Sequence, residues 1–138
     1  MSKTYKKLFE PLQLRHKTLR NRIVFGAHTA NMAENGLPGE RHLGYYRERA
    51  IGGAAMIVIE LMPVLPAALL TRGNFLHSDD SVIPSFRKIT EDCKQGGTVI
   101  LRQLYHVGQR GDADNSYFPT IGQRQVNQAT TILMAVTR

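Results

Sequence analysis

Three short apolar runs in this chain each close on polar residues. The first, Ile23, Val24 and Phe25, passes into Gly26-Ala-His-Thr29 and then into a turn at Glu34, Asn35 and Gly36. The second covers residues 55–60, Ala-Met-Ile-Val-Ile-Glu, and the third residues 99–106, Val-Ile-Leu-Arg-Gln-Leu-Tyr-His. Near-continuous β-branched and apolar runs of this length suit strands covered on both faces. Helical spacing lies between them. Leu43, Tyr46 and Ala50 mark a helix over 38–51, with Pro38 near its start, Glu40 in its first turn and Gly52-Gly53 as its stop. Phe86, Ile89 and Cys93 mark a second over 83–95, with Ser81 as N-cap, Pro84 in the first turn and Gly96-Gly97 as the stop.

Ahead of these, residues 8–14 alternate roughly around Pro11 and run into the polar turn Arg15-His-Lys-Thr18, which predicts a short hairpin over one end of the fold. Residues 61–82 form a long connection containing Pro63, Pro66 and the polar group His77-Ser-Asp-Asp-Ser81. The order hairpin, β, α, β, α, β predicts an α/β fold whose parallel strands, near 23–26, 55–60 and 99–104, carry chemistry along one rim. A doubly wound sheet and the first part of a β/α barrel both satisfy it. Neither G-x-G-x-x-G nor a P-loop is present, and the leading hairpin favours the barrel.

Length and composition narrow the class. A chain of 138 residues that is 42% hydrophobic can build one core, and no second domain is expected. The net charge of +7 is uneven: residues 1–30 carry seven Lys or Arg against Glu10, whereas residues 31–119 carry nine against ten acids. The strands therefore lie in a nearly neutral region, and the basic end lacks interleaved aromatics for stacking bases, so no nucleic-acid partner is expected. Cys93 alone permits neither an internal disulfide nor a multi-cysteine cluster. On helix spacing it is a packed thiol. No apolar run approaches the about 18 residues of a membrane span, so the expectation is a soluble, cytoplasmic protein with no membrane partner.

The strand ends offer His28 and Thr29, the Glu60 carboxylate, and Gln103 beside Tyr105 and His106. A carboxamide presents a donor and an acceptor together, which matches the edge of a planar heterocycle such as a flavin or a pyrimidine. Taken alone, Gln103 could equally face solvent or pin a neighbouring backbone. His28, His77 and His106 lack metal-ligand spacing, and no metal is expected.

Leu8-Phe-Glu-Pro-Leu, Leu19-Arg-Asn-Arg-Ile-Val, Asn35-Gly36, Tyr45-Tyr46 with Arg49-Ala50 and Gly52-Gly53, Ile57 to Glu60, and Gln103-Leu-Tyr-His-Val-Gly108 resemble the N-terminal part of the old yellow enzyme family of NADH:flavin oxidoreductases. The likeness is greater to the branch of trimethylamine dehydrogenase, 2,4-dienoyl-CoA reductase and the N-methylproline demethylases, and it covers residues 8–119. It implies the N-terminal portion, about three β/α units plus the hairpin, of a TIM (β/α)8 barrel with FMN at the C-terminal rim of its strands. It also implies a small-molecule substrate and leaves NADH, NADPH and the amine itself open as the electron donor. Carried over residue by residue, Ala27, His28 and Thr29 match the segment whose backbone and hydroxyl contact the isoalloxazine, and Gln103 the side chain on the flavin's pyrimidine edge. Leu61 stands near the flavin face, where relatives carry a small residue or an aromatic.

The later units, with the family's phosphate loops, further active-site residues and iron–sulfur cysteines, have no counterpart here. A three-stranded start would leave its third strand unpaired and its inner face without an opposite wall, and oligomerisation through the open barrel edge is one way to cover it. Residues 120–138 contain no acidic or aromatic residue and do not resemble the family's continuation, a loop containing Trp and Ser. Codons permitted for residues 120–129, read one nucleotide out of phase, can spell Tyr-Trp-Ser-Ala-Ser-Gly-Gln-Pro-Ser, which resembles that loop. The expectation is a partial FMN-binding barrel over 1–119 followed by an unrelated tail from a frameshifted or truncated gene. Rival readings are an inactive fragment and a small anion- or nucleic-acid-binding module using Lys3, Lys6, Lys7, Arg15, Lys17, Arg20 and Arg22.

Overall fold

The computed structural model describes residues 5–64, 68–76, 80–106 and the backbone of 132–135. Expectations for residues 1–4, the polar group at 77–79 and the tail segment 120–131 lie outside the described residues. The chain opens with a single helical turn, α1 (Lys6–Phe9), where alternation had predicted a strand from residue 8. The hairpin starts only after Pro11. Its strands β1 (Leu12–Leu14) and β2 (Lys17–Leu19) pair antiparallel with Leu12 opposite Leu19. The turn is therefore Arg15-His16, with Arg15 at φ 51°, and Lys17 and Thr18 belong to a strand.

The main sheet has the order β3 (Val24–Phe25), β4 (Met56–Pro63), β5 (Val99–Tyr105), β6 (Ile132–Ala135). The first three strands are parallel, as the pattern predicts, with Phe25, Ile57 and Ile100 in one register row. β3 is shorter than expected, and β4 starts one residue later and ends three residues later than expected. β6 pairs antiparallel with β5 over residues 101–104, so the predicted unpaired edge of the third strand is occupied over that stretch.

Helices α2 (Glu40–Ile51) and α3 (Val82–Gln95) pack side by side on one face of the sheet. Between helices and sheet lie Tyr46, Ala50, Ile57, Ile59, Phe75, Phe86, Ile89, Cys93 and Ile100, all buried. The buried stripe of α2 is His42, Tyr46 and Ala50 rather than one through Leu43. Ser81 is N-terminal to α3, but its side chain makes no capping bond to the helix. Cys93 is fully buried, and burial pushes its thiol up to about 11, as suits a packing residue. The opposite sheet face is open: Val24 is exposed, while Met56, Val99 and Leu101 are half-buried.

Arg20 braces the end of the sheet away from the rim. Its guanidinium donates to the carbonyls of Gly96, Ala50 (2.8 Å) and Ala54 (3.1 Å), joining the C-terminal ends of both helices. A cation there answers free carbonyls and the helix dipole together. One of the seven residues of the basic-module reading is thus engaged in the fold. Arg20→Ala is expected to lower the unfolding free energy by about 1–2 kcal/mol, discounted for exposure, as read from a urea midpoint.

Candidate functional site at the strand C-terminal rim

β3 ends after two paired residues, and the backbone from Gly26 to Ala33 then crosses the rim with no strand partner. Ala27, His28 and Thr29 are all exposed there. The His28 ring stacks on Tyr45 of α2 and its Nδ1 lies 3.0 Å from the Tyr45 hydroxyl. Tyr45 is itself covered by the Arg49 guanidinium, 3.4 Å from the ring centroid. The imidazole is thus engaged with the helix, while Ala27 and Thr29 on either side of it are exposed.

β4 reaches the same rim through an irregularity. Ile59 pairs with Arg102 and Met62 with Leu104, so Glu60 and Leu61 together oppose Gln103. An extra residue in one strand re-aims its side chains. The consequence for Glu60 overturns the expectation of a carboxylate offered to the site, because Glu60 is 1% exposed and turned into the fold. It accepts from the amides of Ala30 (2.6 Å) and Asn31 (3.2 Å) and from His42 Nε2 (2.9 Å). Its own N–H donates to the Tyr46 hydroxyl at 3.0 Å. Burial pushes the Tyr46 phenol well above its ordinary range, so it stays a neutral partner.

Leu61 lies between two buried residues, while Arg102, the residue before Gln103, stacks on Phe86 of α3 at 3.4 Å. Burial lowers the Arg102 guanidinium to about 10. By strand alternation Gln103 faces away from the helices, onto the open side of the sheet, and Leu61 shares that side. Gln103 is half-buried, and its carboxamide makes no hydrogen bond to another described residue. A donor and an acceptor without a described partner, at the rim where 27–29 also lie, fit the edge of a planar ring such as a flavin. Tyr105, two residues on, has its phenol pushed up by partial burial. A groove of about 270 Å³ on the outer layer, lined by Phe86, Arg87, Lys94 and Arg102 among others, includes none of Ala27, His28, Thr29, Leu61 and Gln103.

Sequence reasoning missed the residues that hold this rim. His42 and Tyr46 stand one turn apart on α2, a spacing visible in the sequence, but the imidazole's partner lies 18 residues away. The connection after β4 is fastened to the loop after β3 by Ala33 N–H to Gly73 carbonyl (3.0 Å), Leu76 N–H to Gly36 carbonyl (2.9 Å) and the Thr71 hydroxyl to Asn31. Gly73 is required by proximity, since a Cβ there would sit 2.3 Å from the Asn31 carbonyl oxygen. Gly73→Ala is expected to cost about 1–3 kcal/mol by overpacking, and a lowered urea midpoint with an unchanged m-value is the check.

Among the described residues no group of three His, Cys, Asp or Glu could hold a metal ion, and no helix is long and apolar enough to cross a membrane. The profile of the NADH:flavin oxidoreductase / NADH oxidase family matches residues 7–134, a span running past the 119 limit of the motif resemblance. A Rhizobium meliloti protein described as "Probable N-methylproline demethylase" is 39% identical over 104 residues, covering 75% of this chain and 15% of that protein. "NADPH dehydrogenase" of Bacillus subtilis is 31% identical over 115 residues, covering 82% of this chain and 34% of the relative. The old yellow enzyme structure from Trypanosoma cruzi superposes with a TM-score of 0.69 at 31% identity, over 80% of this chain and 30% of that one. The chain thus spans about a third or less of these relatives, and its hairpin and parallel β/α units are a portion of a TIM barrel without closure. With its profile matched from residue 7 to 134, the chain belongs to the NADH:flavin oxidoreductase / NADH oxidase family.

Proposed function

We propose that this chain supplies the ring-binding part of an FMN-dependent oxidoreductase. The observation that carries this is the Gln103 carboxamide, without a hydrogen-bond partner among the described residues, on the open sheet face with Leu61 and at the same strand-end rim as Ala27, His28 and Thr29. Gln103 would bind the pyrimidine edge, the 27–29 backbone and Thr29 hydroxyl would orient the ring, and Leu61 would shield one ring face from water. FMN, when bound, supplies two-electron hydride chemistry between a small-molecule substrate and NADH, NADPH or an oxidisable amine. A methylated amine is a substrate class in keeping with the demethylase relative. Should the chain assemble, it would do so through its open sheet face, because β6 already pairs the edge of β5 over residues 101–104.

The residues named all address the ring and none the phosphate. Titration of the purified chain should therefore give equal affinities for riboflavin and FMN, within about threefold, where a phosphate-based site would favour FMN by far more. Gln103→Ala is expected to weaken both flavins by about 1–3 kcal/mol, because a partly buried edge loses a donor and an acceptor together. Flavin fluorescence quenching reads both results, and unchanged affinity in the variant would remove Gln103 from the site. Steeply salt-dependent binding of nucleic acid without flavin would instead support the basic-module reading.

A further inference from the structure

We propose that Glu60 and His42 are a positioning pair that fixes the backbone at Ala30 and Asn31, and through it the segment 27–29 that the flavin reading places against the ring. The flavin half of this inference rests on the proposed function; the tether itself does not.

β3 contributes only Val24 and Phe25 to the sheet, so from Gly26 onward no ladder bonds fix the backbone. The first amides beyond Thr29 to find a protein acceptor are Ala30 and Asn31, and both find the same Glu60 oxygen. Asn31 then turns the chain away with φ at 56°. A carboxylate receiving two successive amides replaces the missing strand partner at the point where the segment leaves the rim.

Glu60 is in turn held from two sides by one helix. Tyr46 receives its backbone N–H, and His42, four residues earlier on the same face of α2, donates Nε2–H to the carboxylate oxygen that the amides leave free. The imidazole is fully buried and lies against Tyr46, stacked at 6.5 Å, and Phe75 at 4.9 Å. Its Nδ1 has no partner among the described residues, and there the hydrogen bond to Glu60 is the imidazole's polar contact. Neither residue faces the open side of the sheet. Their effect on a ligand would pass through the two amides.

The test is residue-resolved amide hydrogen exchange on the full chain, with flavin titration of the same samples. In the paired variant Glu60→Leu/His42→Leu, which removes the carboxylate without leaving the imidazole unpaired, Ala30 and Asn31 are expected to exchange at least tenfold faster. Exchange at Val58 and Leu101, in the β4–β5 ladder, should rise only as far as the paired variant's loss of global stability, read by chemical denaturation, requires, with Ala30 and Asn31 accelerated beyond that. Glu60→Gln keeps an acceptor oxygen and should restore most of the protection. Flavin affinity should fall at least tenfold in the paired variant and recover in Glu60→Gln. Unchanged exchange at Ala30 and Asn31, or equal acceleration at Val58 and Leu101, would overturn the tether, the second outcome meaning a role in stability alone. Faster exchange with undiminished flavin affinity would overturn its bearing on the ligand. A wild-type chain that binds no flavin would overturn the flavin reading, while the exchange rates still decide the tether.

Discussion

Glu60→Leu on its own is expected to destabilise the chain by about 3–5 kcal/mol, enough to unfold much of it. The carboxylate is 1% exposed and serves the amides of Ala30 and Asn31 and the Nε2–H of His42. Leucine leaves all three donors without an acceptor, two of them in partly buried backbone and one on a fully buried ring. Unmade buried hydrogen bonds cost more than made ones contribute, about 1–3 kcal/mol for each orphaned group. Adding His42→Leu removes the largest orphan and fills its place with carbon, so the paired variant should recover roughly half of the loss. Chemical denaturation of the two single variants and the pair measures this as a coupling energy. Additive losses, with no recovery in the pair, would show that the two side chains act independently despite their 2.9 Å contact.

Most elements of this fold were visible in the chain because their signals are local. The Gly-Gly pairs at 52–53 and 96–97 end α2 and α3 where expected, with Gly53 at φ 103° and Gly97 at φ 73°, conformations that glycine alone adopts at little cost. The parallel order followed from apolar runs separated by helix-sized connections. What alternation could not show is the irregularity between Ile59 and Met62. One extra residue exchanges the faces of everything beyond it, so a glutamate counted onto the rim turns instead into the helix layer. α1 escapes because one helical turn carries too little periodicity to oppose the rough alternation read over residues 8–14. The pairing of β6 depends on a contact across some thirty residues, for which no local signal exists. Of the candidate site, Gln103 is read onto the third strand and lies in β5, whereas Leu61, read into the connection after the second strand, falls inside β4; His42 stays hidden because only a tertiary partner gives a buried imidazole its role.

The second large effect is an absence of activity: this 138-residue chain by itself is expected to give no measurable oxidoreductase turnover. The residues proposed to address the flavin all stand at one side of what would be a barrel, Ala27, His28 and Thr29 in the loop after β3, Leu61 on β4 and Gln103 on β5. Phosphate sites in such barrels are built by the loops after the last two strands, and a ring held without its phosphate loses the strongest directional contacts of the cofactor. A bound ring's other face would be exposed as well. Val24 is open to solvent and Val99 and Leu101 are half-buried, so among the described residues the sheet's inner face has no opposite wall to exclude water or position a substrate. Apolar area left open in this way also favours association of chains over catalysis. The measurement is reduction of flavin by NADH, NADPH or an N-methylated amine at defined protein concentration, against free FMN in the same buffer. A rate above free FMN, saturable in protein and lost in Gln103→Ala, would mean that three β/α units close a working site, and would sink the argument that the missing wall and phosphate loops are indispensable.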